Sequence, residues 1–263
     1  LGCGSWIYAT NGQKYLDFTS GIGALSLGHS HPELIETVSN QMKHIVHVPQ
    51  QVFGASRPLL DLNKMLLKTI KGNKLNSFFY VNSGSEATDN AIKIARRVTQ
   101  KPNIISIDNG FHGRTLGALS LNSSSVKTRR GTQPLMPGIF FCEPNEKSLD
   151  ELFTRYTCPT ETAGIIFESI QGEGGIHSLS TPFLKHIETY CKEYNIMMIA
   201  DEVQCGALRT GEFWNVNTKE VYPDILTFGK GVASGFPLAG LACNKEHMDH
   251  LGANFLGGTY GGN

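Results

Sequence analysis

The chain has 263 residues with 23 basic and 23 acidic side chains, so it has no net charge with which to hold nucleic acid or an anionic membrane surface. That length suits one large α/β domain or one and a half ordinary ones, and no run approaches the ~18 apolar residues of a membrane span. The six cysteines (Cys3, Cys142, Cys158, Cys191, Cys205, Cys243) lie far apart with no C-x-x-C pair, which reads as reduced thiols in an intracellular protein whose expected partner is a small molecule.

Residues 4–18 hold two β-prone runs joined by Asn11-Gly12, a strong hairpin signal. Glycine-bearing turns follow at Ser20-Gly-Ile-Gly23 and Gly28-His-Ser-His-Pro32, and an amphipathic helix is predicted from Pro32 to His44. His29 and His31 have no cysteine or acidic ligand at a zinc-like spacing, so no metal site is expected. A helix from Ser56 to Ile70 has Leu59, Leu60, Leu62, Met65, Leu66 and Ile70 as its core-facing residues. Ser77–Val81 reads as a buried strand, and Asn82-Ser-Gly-Ser turns from it into a helix opening on Ser85 and Glu86. Such a turn is an anion site, because its amides and helix dipole point outward and Gly84 admits a phosphate; an ordinary capped helix would look the same.

The strand Asn103–Ile107 runs into Asp108-Asn-Gly-Phe-His-Gly-Arg-Thr115, where Phe111 suits stacking on a planar group and Arg114 suits clamping a carboxylate. Ser120 to Pro144, rich in Ser, Thr, Arg and Pro, reads as a long excursion and a candidate oligomer contact. The strand Ala163–Phe167 delivers Glu168 and then Gln171-Gly-Glu-Gly-Gly175; after a helix from Pro182 to Glu193, the run Ile196–Ala200 delivers Asp201. Asp224–Phe228 is a further apolar run that leads to Lys230, and Leu238–Cys243 is one more strand. Strands alternating with helices argue a mostly parallel sheet covered on both faces, which binds ligands at the carboxyl ends of its strands. Alone, Lys230 is either a solvated charge or a nucleophile, and Asp201 either a helix cap or a functional acid. A lysine bonded to pyridoxal phosphate and a carboxylate on its ring nitrogen would use these two residue types on neighbouring strand ends. No G-x-G-x-x-G follows the first strand, which counts against a nicotinamide-binding domain.

Taken together, these motifs resemble the class III pyridoxal-phosphate aminotransferases of fold type I. The resemblance covers nearly the whole chain, from Asn11-Gly-Gln-Lys-Tyr-Leu-Asp-Phe through Gly28-His-Ser-His-Pro, Asn82-Ser-Gly-Ser-Glu-Ala, Phe111-His-Gly-Arg-Thr and Asp201-Glu-Val-Gln to Phe228-Gly-Lys-Gly. Leu256-Gly-Gly-Thr-Tyr-Gly-Gly-Asn263 looks most like the 4-aminobutyrate enzymes of that family. The resemblance implies an α/β fold, with 1–45 an N-terminal hairpin-bearing segment of a small domain and 46–263 a cofactor-binding large domain. The rest of the small domain, with a second carboxylate-binding arginine, is expected outside this chain, as are both natural ends.

It further implies pyridoxal 5'-phosphate as cofactor, with Lys230 its Schiff-base lysine and Asp201 the acid on the ring nitrogen. Gly84 and Ser85 match phosphate-holding positions, Phe111 the stacking aromatic, Val203 the residue on the opposite ring face and Gln204 the partner of the phenolic oxygen. His112 and Glu168 belong to the same cofactor shell. Thr259 matches a phosphate ligand given to the other subunit, which implies a homodimer with shared active sites. Ile22, Arg114 and Glu173 match substrate-pocket positions. The implied reaction is amino transfer from an ω-amino acid, first 4-aminobutyrate, to a 2-oxo acid such as 2-oxoglutarate. The alternatives are an acetylornithine, ornithine or other ω-amino acid enzyme, and, in another class, a non-catalytic cofactor-binding fragment. The expected compartment is the cytoplasm or the mitochondrial matrix. Leu208 replaces the glycine usual before Arg-Thr-Gly.

Overall fold

A computed structural model describes residues 1–50, 54–72 and 74–263. The N-terminal segment forms a small antiparallel sheet of β1 (Gly2–Cys3), β2 (Trp6–Tyr8) and β3 (Lys14–Leu16). The turn after Tyr8 contains Asn11 and a left-handed Gly12 (φ 85°), and pairs Tyr8 with Lys14 as the Asn-Gly signal predicts. Helices Pro32–Met42 and Arg57–Thr69 follow, each with proline in its first turn, where the missing amide costs no hydrogen bond. In the second helix Leu66 is buried and Leu59 and Leu62 pack on the core, whereas Leu60 and Met65 are exposed. The predicted stripe was therefore too wide: positions 59, 62 and 66 share one face at 3.6 residues per turn, and 60 and 65 fall outside it.

The main sheet consists of β4 (Ser77–Val81), β5 (Asn103–Ile107), β6 (Ile139–Cys142), β7 (Thr162–Phe167), β10 (Met197–Asp201), β11 (Ile225–Phe228) and β12 (Ala239–Cys243). Its order is β4-β12-β11-β10-β7-β5-β6, and β12 alone runs against the others. A short hairpin of β8 (Ile170–Gln171) and β9 (His177–Ser178) lies between β7 and the helix Thr181–Tyr194. The excursion from Ser120 to Pro144 is more ordered than its composition suggests, since it leads into the edge strand β6.

The central strands are apolar on both sides because both faces are covered. In β7, Ala163 and Ile166 join one core, while Ile165 and Phe167 join the other; in β10, Met197 and Ile199 separate in the same way from Met198 and Ala200. One core is covered by Phe183, Leu184 and Ile187 from the helix Thr181–Tyr194. The other is covered by Ala87, Ala91, Ile94 and Ala95 from the helix Gly84–Thr99. That second helix is well capped: the Ser83 hydroxyl accepts the Glu86 amide at 3.3 Å, and the Glu86 carboxylate accepts the Asn82 amide at 2.7 Å. Capping fixes where it starts, and so where Gly84 and Ser85 sit relative to the end of β4.

Candidate active site

β4, β5, β7, β10 and β11 point one way and deliver their following residues around a cavity of about 130 Å³. The β4 turn contributes Gly84 and Ser85, and the β5 turn Phe111, His112 and Gly113. From β7 come Glu168 and Glu173, from β10 Asp201, Val203 and Gln204, and from β11 Lys230.

Asp201 ends β10 and is buried. Its Oδ2 lies 2.7 Å from His112 Nδ1, and its Oδ1 accepts the Val203 amide at 3.0 Å and the Thr227 hydroxyl at 3.1 Å. A carboxylate has about four acceptor sites, so one remains for a donor in the cavity. Burial works to lower the His112 pKa, but the hydrogen bond and charge of Asp201, with the charge of Glu168, outweigh it and raise the imidazole above its ordinary value. His112 is fixed by its amide, which donates to Asn122 Oδ1 at 2.6 Å, and by its carbonyl, which accepts the Thr88 hydroxyl at 3.0 Å. Its Nε2 is buried without a protein partner among the described residues. Glu168 accepts the Phe111 amide at 2.9 Å and the Gly172 amide at 3.1 Å, joining two strand-end turns. Burial raises its pKa.

Lys230 follows β11 with a left-handed backbone (φ 44°), an unusual conformation for a side-chain-bearing residue. Its Nζ donates to Gln204 Oε1. Burial lowers its pKa although the carboxylates of Asp201, Glu168 and Glu173 pull the other way. A half-buried amine of lowered pKa has a larger neutral, nucleophilic fraction at neutral pH than a solvated one.

Two glycines are required by close approach. A Cβ on Gly84 would stand 2.7 Å from Val203 Cγ1, and one on Gly113 (φ +139°) would stand 2.3 Å from Ser85 Oγ. Ser83 takes the amides of Glu86 and Ala87, and those of Gly84 and Ser85, which have no partner inside the helix, are the pair that suits an anion.

Ile22, Arg114 and Thr259 do not line this cavity. Ile22 is 69% exposed in a turn where Ser20, Gly21, Ile22 and Gly23 all have positive φ, although its neighbour Gly23 lies against Gln204. Arg114 gives its amide to Ser85 Oγ at 3.0 Å and leaves its side chain exposed. Thr259 is exposed as well. His29, read without an acidic neighbour, is brought to Asp17 by folding, with Nε2 2.8 Å from Oδ2.

Sequence reasoning missed Gly113, Asn122 and Thr227. Thr227 had a signal, because a hydroxyl inside the apolar run Ile225–Phe228 needs a partner once buried. Asn122 had none: its amide nitrogen donates to the Gly113 carbonyl at 2.7 Å, a contact created by the path of the chain.

The family model described as Aminotransferase class-III matches residues 2–263. The chain is 37% identical to the 4-aminobutyrate aminotransferase GabT of Escherichia coli (strain K12), covering 98% of this chain and 63% of that protein. It is 37% identical to an acetylornithine aminotransferase of Aquifex aeolicus, covering 100% of this chain and 69% of that protein. Among solved structures, an (S)-enantioselective omega-transaminase from Thermomicrobium roseum superposes with a TM-score of 0.92 at 30% identity, over 100% of this chain and 64% of that one. The chain thus spans less than two thirds of the length of the Escherichia coli relative. By sequence and by fold, it belongs to the class III aminotransferases.

Proposed function

We infer that the complete protein is a pyridoxal-phosphate-dependent aminotransferase that moves the amino group of an ω-amino acid, first 4-aminobutyrate, to a 2-oxo acid such as 2-oxoglutarate. The observation that carries this reading is the half-buried Lys230 amine of lowered pKa, which shares its cavity with the acid Asp201 and the Gly84–Ser85 turn. Pyridoxal phosphate supplies an electron sink for the substrate carbon, which no side chain can provide. Lys230 is the group that attaches it and that carries the substrate proton as base and acid. Asp201 has one acceptor site left for the ring nitrogen and is itself held by His112, Thr227 and Val203. Gly84, Ser85 and their own amides suit the phosphate, Phe111 and Val203 the two ring faces, and Gln204 the phenolic oxygen.

Glu173 lines the cavity and suits the substrate side, whereas Arg114 and Ile22 are exposed and stand outside its lining. The exposed Thr259 fits service in a second copy of the chain, hence a homodimer with shared sites. Residues 1–45 are assigned to the small domain and 46–263 to the large one.

The turn at Leu256–Asn263 favours 4-aminobutyrate; the 37% identity to an acetylornithine enzyme keeps N-acetylornithine as the second reading. Full-length protein is to be assayed with 4-aminobutyrate, N-acetylornithine, ornithine and β-alanine, following glutamate formed from 2-oxoglutarate. Turnover of N-acetylornithine alone would remove the first reading. With pyridoxal phosphate, a borohydride-trappable visible chromophore is expected and should be lost in Lys230→Ala; its survival there would remove the lysine assignment.

A further inference from the structure

Glu202 follows Asp201, is 1% exposed and does not line the cavity. Its Oε1 accepts the Val216 amide at 2.7 Å and the Ser169 hydroxyl at 3.1 Å. Its Oε2 accepts the Asn215 amide at 2.8 Å and the Cys205 thiol at 3.4 Å. Its own amide donates to the Thr227 carbonyl at 2.9 Å, next to the strand end that leads to Lys230. Among the described residues no cation pairs with it.

A buried carboxylate held only by neutral donors is costly, and an apolar side chain would fill the same space without that desolvation. What the carboxylate adds is direction, because its four bonds tie it to three pieces of backbone. Ser169 adjoins Glu168, Cys205 adjoins Gln204, and Asn215 and Val216 open the helical turn Asn215–Lys219 that precedes β11. Three residues of the cavity are thus each one position from a member of this cluster: Glu168, Asp201 and Gln204. Gln204 in turn accepts from the Lys230 amine. Burial pushes the Glu202 pKa up to about 7, so at pH 8 the group is the anion to which all four donors point.

We propose that Glu202 is a positioning residue for the lysine site: its carboxylate braces the strand ends bearing Glu168 and Asp201 to the turn bearing Gln204, and so holds Gln204 against Lys230. The inference rests on reading the cavity as the cofactor site. It differs from a role in fold stability alone, in which Glu202 would secure residues 215 and 216 and leave the cavity wall indifferent.

The test uses full-length protein at pH 8 and the variant Glu202→Gln, whose amide NH2 would face a donor where an oxygen now accepts. On cofactor-free protein, hydrogen exchange is expected to speed up at 169–172 and 203–206 as well as at 215 and 216, with β5 unchanged. On protein loaded with pyridoxal phosphate, the dissociation constant should rise by about tenfold, the equivalent of one buried donor left unpaired. The pH midpoint of its visible band should shift too. Faster exchange confined to 215 and 216, with dissociation constant and band midpoint unmoved, would overturn the proposal. Should Glu202→Gln fail to fold, Ser169→Ala and Cys205→Ala both remove the contact at 3.6 Å between the Ser169 hydroxyl and the Cys205 thiol, and each removes a different bond to Glu202; faster exchange at both 168–172 and 203–206 in both variants supports the brace, and exchange unchanged at either segment in either variant overturns it. Failure of wild-type protein to take up pyridoxal phosphate would instead overturn the proposed function, while the cofactor-free exchange pattern still decides the brace.

Discussion

The site is held by close approaches as much as by polar contacts, and Gly84 shows what one methyl group does there. In Gly84→Ala the new Cβ meets Val203 Cγ1 at 2.7 Å, inside the wall between two strand-end turns. Overpacking of this kind costs about 1–3 kcal/mol, and here the displaced residue flanks the cavity. Weaker binding of pyridoxal phosphate in a spectral titration is expected, with a lower melting temperature; unchanged affinity would mean that Val203 yields without consequence. Residues of this type were legible where chemistry demanded a rare side chain at a strand end, as with Lys230, Asp201 and Glu168. Residues that act by touching those, such as Asn122 and Thr227, became visible only once distant segments lay side by side.

At the scale of elements, β7 lies between β10 and β5 and carries Phe167 with no exposed surface. Phe167→Ala should destabilise the protein by about 3–5 kcal/mol, seen as a lower urea midpoint, because a neighbourhood of paired strands cannot collapse into the void. The central strands were easy to read because burial on both faces makes them continuous apolar runs. β6 was not, for it is an edge strand with Phe141 exposed, and the polar stretch before it hides its start. In the N-terminal segment, Asp17 organises its turn by accepting from the Thr19 hydroxyl at 2.6 Å, the Thr19 amide at 3.0 Å and the Ser20 amide at 2.9 Å, with His29 at its other oxygen. The Thr19 side chain, then His29, leads the contacts that lower its pKa from 3.8 to about 2. A depressed carboxyl stabilises the fold above its ordinary value and loses that contribution as pH falls, so this turn should loosen between about pH 4 and 2. An NMR titration of the Asp17 carboxyl carbon checks it: a midpoint at the ordinary value would show that the turn is held by other contacts.

The whole molecule divides unequally. None of the first 50 residues is buried, and Phe18 is 90% exposed, whereas every buried side chain among the described residues lies from Leu66 onward. The segment touches the rest through few bonds, among them Ser26 Oγ to the Gly231 carbonyl at 2.7 Å and the Leu27 amide to Ser234 Oγ at 3.0 Å. In this chain by itself, hydrogen exchange should therefore be fastest across residues 1–49 and slowest in β7 and β10; equal protection in both would contradict that division.

The single reversed strand has a metrical effect. β12 separates β4 from β11, so the ends of those two strands, from which the Gly84 turn and Lys230 depart, stand two inter-strand steps apart, or about 10 Å. That interval is set by backbone hydrogen bonds along the full length of β12, and no loop movement can alter it. The two turns that face each other across the cavity are thus hung from fixed points, and any change in the gap between them has to come from the turns themselves and not from the sheet.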